Sequence, residues 1–152
     1  MAGDDGFIPF ESIDHTADLA FIARGRSLAE LFRNAACGML SFLVDRQSVR
    51  DAEEEGVQIE GADLEELLVA WLQEILYQIE VRRRIYRTID VSSIESGSAG
   101  WRLRASVRGE AQDPSRHTLC AHIKAATYHG LKIEKEEGPA GALYRARVVL
   151  DV

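Results

Sequence analysis

Residues Asp63 to Ile79 read Asp-Leu-Glu-Glu-Leu-Leu-Val-Ala-Trp-Leu-Gln-Glu-Ile-Leu-Tyr-Gln-Ile. Leu64, Leu67, Leu68, Trp71, Leu72, Ile75, Leu76 and Ile79 recur at helical spacing and form one apolar stripe. Asp63 precedes Glu66 by three positions, as an N-cap does. Acidic residues fill the first turn and Arg82, Arg83 and Arg84 follow the end, which suits the helix dipole. The stretch predicts an amphipathic helix with one face committed to a core.

The same signals recur upstream. Ser27 and Glu30 form a capping box, followed by Leu28, Leu31, Phe32, Ala35, Ala36, Met39, Leu40 and Leu43 on one face. That helix is expected to stop near Val44-Asp45. Elsewhere the pattern changes to strands. Leu19 to Arg24 is rich in β-formers and ends at Gly25. Val57-Gln58-Ile59 alternates, and Ile89 to Ile94 leads into a turn at Ser96-Gly97-Ser98. Trp101, Leu103, Ala105 and Val107 alternate with Arg102, Arg104, Ser106 and Arg108, giving a half-buried strand with a basic outer face. Ile123 to Glu134 reads as extended, with Gly130 as a bulge or turn, and the last strand covers about Tyr144 to Val152. Asp51 to Glu55 reads as an acidic loop; Asp113-Pro114-Ser115 and Gly138 to Gly141 read as turns. Helices in the first half and strands in the second predict an α+β fold. We expect a single domain over 1–152, with residues 1–7 flexible. Its sheet is mainly antiparallel, and two long amphipathic helices pack on one face.

Composition agrees with this class. The chain has 152 residues, 46% hydrophobic and 28% charged, enough to build one core without metal or disulfide staples. The net charge is −7. Residues 1–80 hold 5 basic and 17 acidic side chains, and residues 81–152 hold 13 basic and 8 acidic. A bulk polyanion binder is therefore excluded, although a local basic face in the second half can still meet an anionic partner. Cys37 and Cys120 are far apart and form no CxxC, as expected for reduced thiols. The N-terminus has no basic start and no apolar run, and the longest apolar run, Leu67 to Leu72, is too short to span a bilayer. The expected location is cytoplasmic, with no membrane partner.

Three places carry candidate chemistry. Asp14-His15-Thr16-Ala17-Asp18 holds two carboxylates and an imidazole just before a strand. Read alone it is more often a polar turn than a site. The final Asp151-Val152 gathers negative groups at a strand end, and Asp45 stands at the exit of the first helix. Crowded carboxylates favour a hard cation, and their bland readings are a solvated strand end and a helix-end residue. Arg116-His117, His122, Lys124 and Tyr128-His129 gather three of the four histidines, without zinc-ligand spacing. Alternation puts His122 and Lys124 on one strand face and His129 on the other. Histidines in such a setting are more often structural than catalytic. Walker A, GxGxxG, GxSxG and HExxH patterns are all absent. No nucleophile–base–orienter set is visible.

Taken together, these segments resemble the archease family. The resemblance runs through Ile13 to Asp18, Ala23-Arg24-Gly25, Ser27 to Phe32 and Asn34-Ala35-Ala36. It continues through Asp63-Leu64, Trp71 to Tyr77, Gly109-Glu110 and Asp113 to His117. It closes with Ile123 to Leu131 and Leu150-Asp151-Val152. The chain departs from the family at Ala20, at Ala126 and in the acidic loop of residues 46–56, none of which touches a proposed ligand. The resemblance implies an accessory protein of an RtcB-type RNA ligase, acting in tRNA splicing and RNA repair. It implies promotion of ligase guanylylation and repeated turnover, with RNA met only through the ligase and no catalysis of its own. It implies a carboxylate metal site of Asp18 and Asp151, with Val152 as an extra ligand and Asp45 as a further one. The cation implied is Ca²⁺, with Mg²⁺ as the alternative. Lys124 is implied to meet the ligase or its nucleotide. His15, His117 and His129 lie in matching blocks without an assigned role. Two rivals stand beside this reading. One is a chaperone-like binding module for a tRNA-modifying enzyme such as a methyltransferase. The other is a stand-alone metal-dependent hydrolase, disfavoured by the missing nucleophile set.

Overall fold

A computed structural model describes residues 6–13 and 18–152. Residues 1–5 of the expected flexible start, and Asp14, His15, Thr16 and Ala17, lie outside the described residues. Phe7 is described, and the Arg26 guanidinium stacks 4.3 Å over its ring.

Both helices form where their caps put them. Helix α1 spans Leu28–Leu43, with the Ser27 hydroxyl accepting from the Glu30 N–H at 3.1 Å. Helix α2 spans Leu64–Glu80, with an Asp63 carboxylate oxygen accepting from the Glu66 N–H at 2.8 Å. The predicted stripes face inward: Leu31, Phe32, Met39 and Leu40 of α1, and Leu67, Leu68, Trp71 and Ile75 of α2, are all buried. Trp71 Nε1 donates to the Phe32 carbonyl at 2.9 Å and ties the two helices together. A polar indole N–H is thus satisfied inside the core. A single 3₁₀ turn, Arg46–Ser48, follows α1.

The strands are β1 (Phe10–Ile13), β2 (Leu19–Gly25), β3 (Glu53–Gly61), β4 (Arg84–Gly97), β5 (Gly100–Ala111), β6 (Ala125–Thr127), β7 (Ile133–Gly138) and β8 (Gly141–Asp151). All pairings are antiparallel, and the architecture is α+β as expected. The strands divide into two sheets where the sequence suggested one. β1, β2, β8 and β6 are neighbours in that order, with β7 also pairing β8; β3, β5 and β4 form the second sheet. Consequently the helices do not lie on one face of one sheet. α1 packs on β2 and β4, and α2 on β3 and β6, so the helix layer touches both sheets and the core lies between them.

Two further differences have local causes. The acidic stretch Asp51 to Glu55 is a loop only at its start, because Glu53, Glu54 and Glu55 belong to β3. Cross-strand arginines stabilise them there. Arg84 meets Glu53 at 2.9 Å and Glu55 at 3.3 Å, and Arg108 meets Glu54 at 2.9 Å. The stretch from Ile123 to Glu134 is interrupted as Gly130 suggested. Gly130 takes φ +63° between β6 and β7, which lie in succession along the same side of β8. Among the described residues, no helix is long and apolar enough to cross a membrane.

Candidate functional site

Sheet register brings the two implied carboxylates together. β2 and β8 are antiparallel with Leu19 opposite Leu150. Asp18 and Asp151 therefore stand one position beyond that pair, on neighbouring strands at the same end of the sheet. On the other side of β8, Ala125 pairs with Asp151, and the Lys124 N–H donates to the Asp151 carbonyl at 2.8 Å. Asp18, Asp151, Val152 and Lys124 thus share one pole of the molecule, although about a hundred residues or more separate Asp18 from the others along the chain. Asp151 and Lys124 are exposed, and Val152 is 40% exposed.

Asp45 lies two residues past the end of α1. The rings of Phe21 in β2 and Phe42 in α1 lie 5.9 Å apart, so the last turn of α1 stands over the first residues of β2. The Cys120 N–H also donates to the Leu43 carbonyl at 2.8 Å, which draws the segment before Lys124 to the end of α1. Asp45 itself caps the 3₁₀ turn, with one carboxylate oxygen accepting from the Gln47 N–H at 3.1 Å. Among the described residues, no three His, Cys, Asp or Glu side chains gather closely enough to hold one metal ion. His15, with Asp14, lies outside the described residues.

The remaining histidines separate. His117 is buried. Its Nδ1 accepts from the Asp113 N–H at 2.9 Å, which leaves the proton on Nε2 to donate to Glu110, also at 2.9 Å. The Arg116 guanidinium beside Glu110 is the main influence that holds its carboxyl down to about 2, with help from the Arg50 N–H and His117. This ring of contacts closes the turn after β5 and reads as structural. His122 and Lys124 do not share a strand face, because β6 begins only at Ala125; His122 instead meets Glu80 of α2 at 2.8 Å. His129 lies two residues past the other end of β6, away from Lys124.

The basic face of β5 is mostly answered within its own sheet. Arg102 meets Glu60 at 3.1 Å and Arg108 meets Glu54 at 2.9 Å. One feature near the pole escaped the sequence reading. Tyr77 and Val81 are exposed, four residues apart on the outer side of α2. Apolar residues at i and i+4 off the main stripe are the signal that marks them.

Comparison with known proteins adds the lineage. The model of the Archease protein family matches residues 10–152. The chain belongs to the archease family. A protein archease of Methanopyrus kandleri is 37% identical over 131 residues, covering 86% of this chain and 93% of its own. A protein archease of Methanosarcina mazei is 36% identical and covers 94% of this chain and 95% of its own. The solution structure of protein 1598 from Methanobacterium thermoautotrophicum superposes with a TM-score of 0.78 at 33% identity. It covers 95% of this chain and 99% of that one. The archease match thus takes in all the described candidates, Asp18, Asp45, Lys124, Asp151 and Val152.

Proposed function

We propose that this archease-family chain is not itself an enzyme. It serves an RtcB-type RNA ligase as an accessory protein in cytoplasmic tRNA splicing and RNA repair. It promotes guanylylation of the ligase's own histidine and restores repeated turnover, meeting RNA only through the ligase. The observation that carries this reading is the register that sets Asp18 beside Asp151, with Lys124 bonded to the Asp151 main chain. Two carboxylates can hold a cation, and an ammonium can orient an anionic group.

Hard carboxylate oxygens suit Ca²⁺ first and Mg²⁺ second. Asp18 and Asp151 would hold such an ion, with the Val152 main chain as a further oxygen donor. When bound, the cation supplies charge neutralisation for phosphoryl transfer. Lys124 adds a positive charge at the rim, where it can meet an anionic group of the ligase or its nucleotide. The test uses Asp18→Ala and Asp151→Ala. Each variant should fold normally and lose most stimulation of ligase guanylylation. Normal stimulation by both would overturn the proposal.

A further inference from the structure

β8 turns its side chains alternately inward and outward. Ala146, Val148 and Leu150 are buried in the core, which leaves Arg145, Arg147 and Asp151 on the outer face of the larger sheet. Charge on that face is answered at one position and not at the next. Glu134 of β7 pairs with Arg145, whose guanidinium meets it at 3.2 Å and Glu136 at 3.9 Å. Ile133 pairs with Ala146, so Lys132 stands one position further on, opposite Arg147. Two cations thus face each other beside a carboxylate–guanidinium pair. Both are exposed, and neither meets a carboxylate among the described residues. Like charges directly opposite destabilise a strand pair. The turn between β6 and β7 closes on the same spot. The Leu131 N–H donates to the Tyr128 carbonyl at 3.0 Å, and Gly130 takes φ +63°. A Cβ on Gly130 would stand 3.9 Å from an Arg147 Nη1, so the guanidinium lies against this turn.

We propose that Arg147 and Lys132 form an anion site for a diphosphate group, free or carried by a nucleotide. The guanidinium fork takes two phosphate oxygens and the ammonium takes a third. Two adjacent cations select an anion with more than one negative charge, because a single carboxylate leaves one of them unanswered. The surroundings limit its size. Asp151 lies four residues from Arg147 along β8, about 13 Å by strand rise, beyond the Debye length of about 8 Å in physiological salt. Glu134 and Glu136 are held by Arg145. A compact anion therefore feels the two cations and little else. A nucleic-acid strand bound through its backbone would run on to Asp151 and Asp18 in one direction or to Glu134 and Glu136 in the other. The site does not depend on the ligase-accessory reading.

The test is calorimetric titration of the full chain at low salt, with a chelator present and no ligase. Pyrophosphate, GTP and a short single-stranded RNA are the separate probes. Pyrophosphate and GTP should each fill one site, and the tighter of the two tells whether the diphosphate is taken free or on a nucleotide. Arg147→Ala and Lys132→Ala should each weaken pyrophosphate by about tenfold or more, as loss of a charge-assisted hydrogen bond does. Lys132→Glu should abolish binding without lowering the melting temperature, because it repeats across Arg147 the pairing that Glu134 makes with Arg145. A parent chain that binds neither pyrophosphate nor GTP would overturn the proposal. So would pyrophosphate affinities equal to the parent's in both alanine variants. RNA that binds more tightly than either small probe, and is lost in both alanine variants, would overturn the compact-anion assignment and make the face a strand-binding surface. Each of these outcomes leaves the accessory role to its own test.

Discussion

Glu110 shows how one buried carboxylate holds a turn. It receives the Arg116 guanidinium, the Arg50 N–H and the His117 ring, and these partners keep its carboxyl at about 2 against an ordinary 4.5. A folded-state value below the unfolded one adds stability that is complete above the unfolded value. That stability is lost as pH falls through the folded one. The difference in urea midpoint between the parent and Glu110→Gln should therefore be largest at neutral pH and shrink between pH 4.5 and about 2. A difference that stays constant through that window would contradict the assignment. Legibility at this scale is mixed. The expectation that such histidines are more often structural than catalytic accords with the burial of His117, whose partners Asp113 and Glu110 lie four and seven residues upstream. The neighbourhood of Asp18 and Asp151 is different. No local spacing predicts it, because it depends on the register of two strands from opposite ends of the chain.

The helices were the most legible elements, because caps and stripes are written within one or two turns of sequence. Their entries share a device that the stripes alone do not reveal. Gly25 and Gly61 each end a strand two residues before an N-cap and lie against the backbone of the residue six positions on, Leu31 and Leu67. A Cβ on Gly61 would stand 2.7 Å from the Leu67 nitrogen. Gly61→Ala should thus lower stability by about 1–3 kcal/mol through forced separation of strand and helix. Gly56→Ala, where a Cβ meets nothing within 4 Å, should change it by less than about 0.5 kcal/mol. Thermal unfolding of the two variants checks the contrast, and equal effects would count against the close packing. Strands were less legible. The start of β3 looks like a solvated acidic run, because its partners, Arg84 and Arg108, lie dozens of residues downstream. Charge patterning near a position cannot show a pairing that the sheet makes at long range.

At the scale of the molecule, the acidic first half and the basic second half are stitched together rather than opposed. Glu53, Glu54, Glu55 and Glu60 of β3 face arginines of β4 and β5. Such pairs consume much of the basic face that could otherwise attract a polyanion, and individually the exposed ones add little stability. The charge left outside these pairs includes the pole of Asp18, Asp151 and Lys124, set at the end of the larger sheet. The family match covers that pole. The central claim is that the pole acts on a ligase rather than on a substrate of its own. The most direct measurement is multiple-turnover RNA ligation by a purified RtcB-type ligase from the same source, with GTP, with and without substoichiometric amounts of this chain. The account predicts that each ligase molecule completes many more ligations when the chain is present. Unchanged turnover would contradict it.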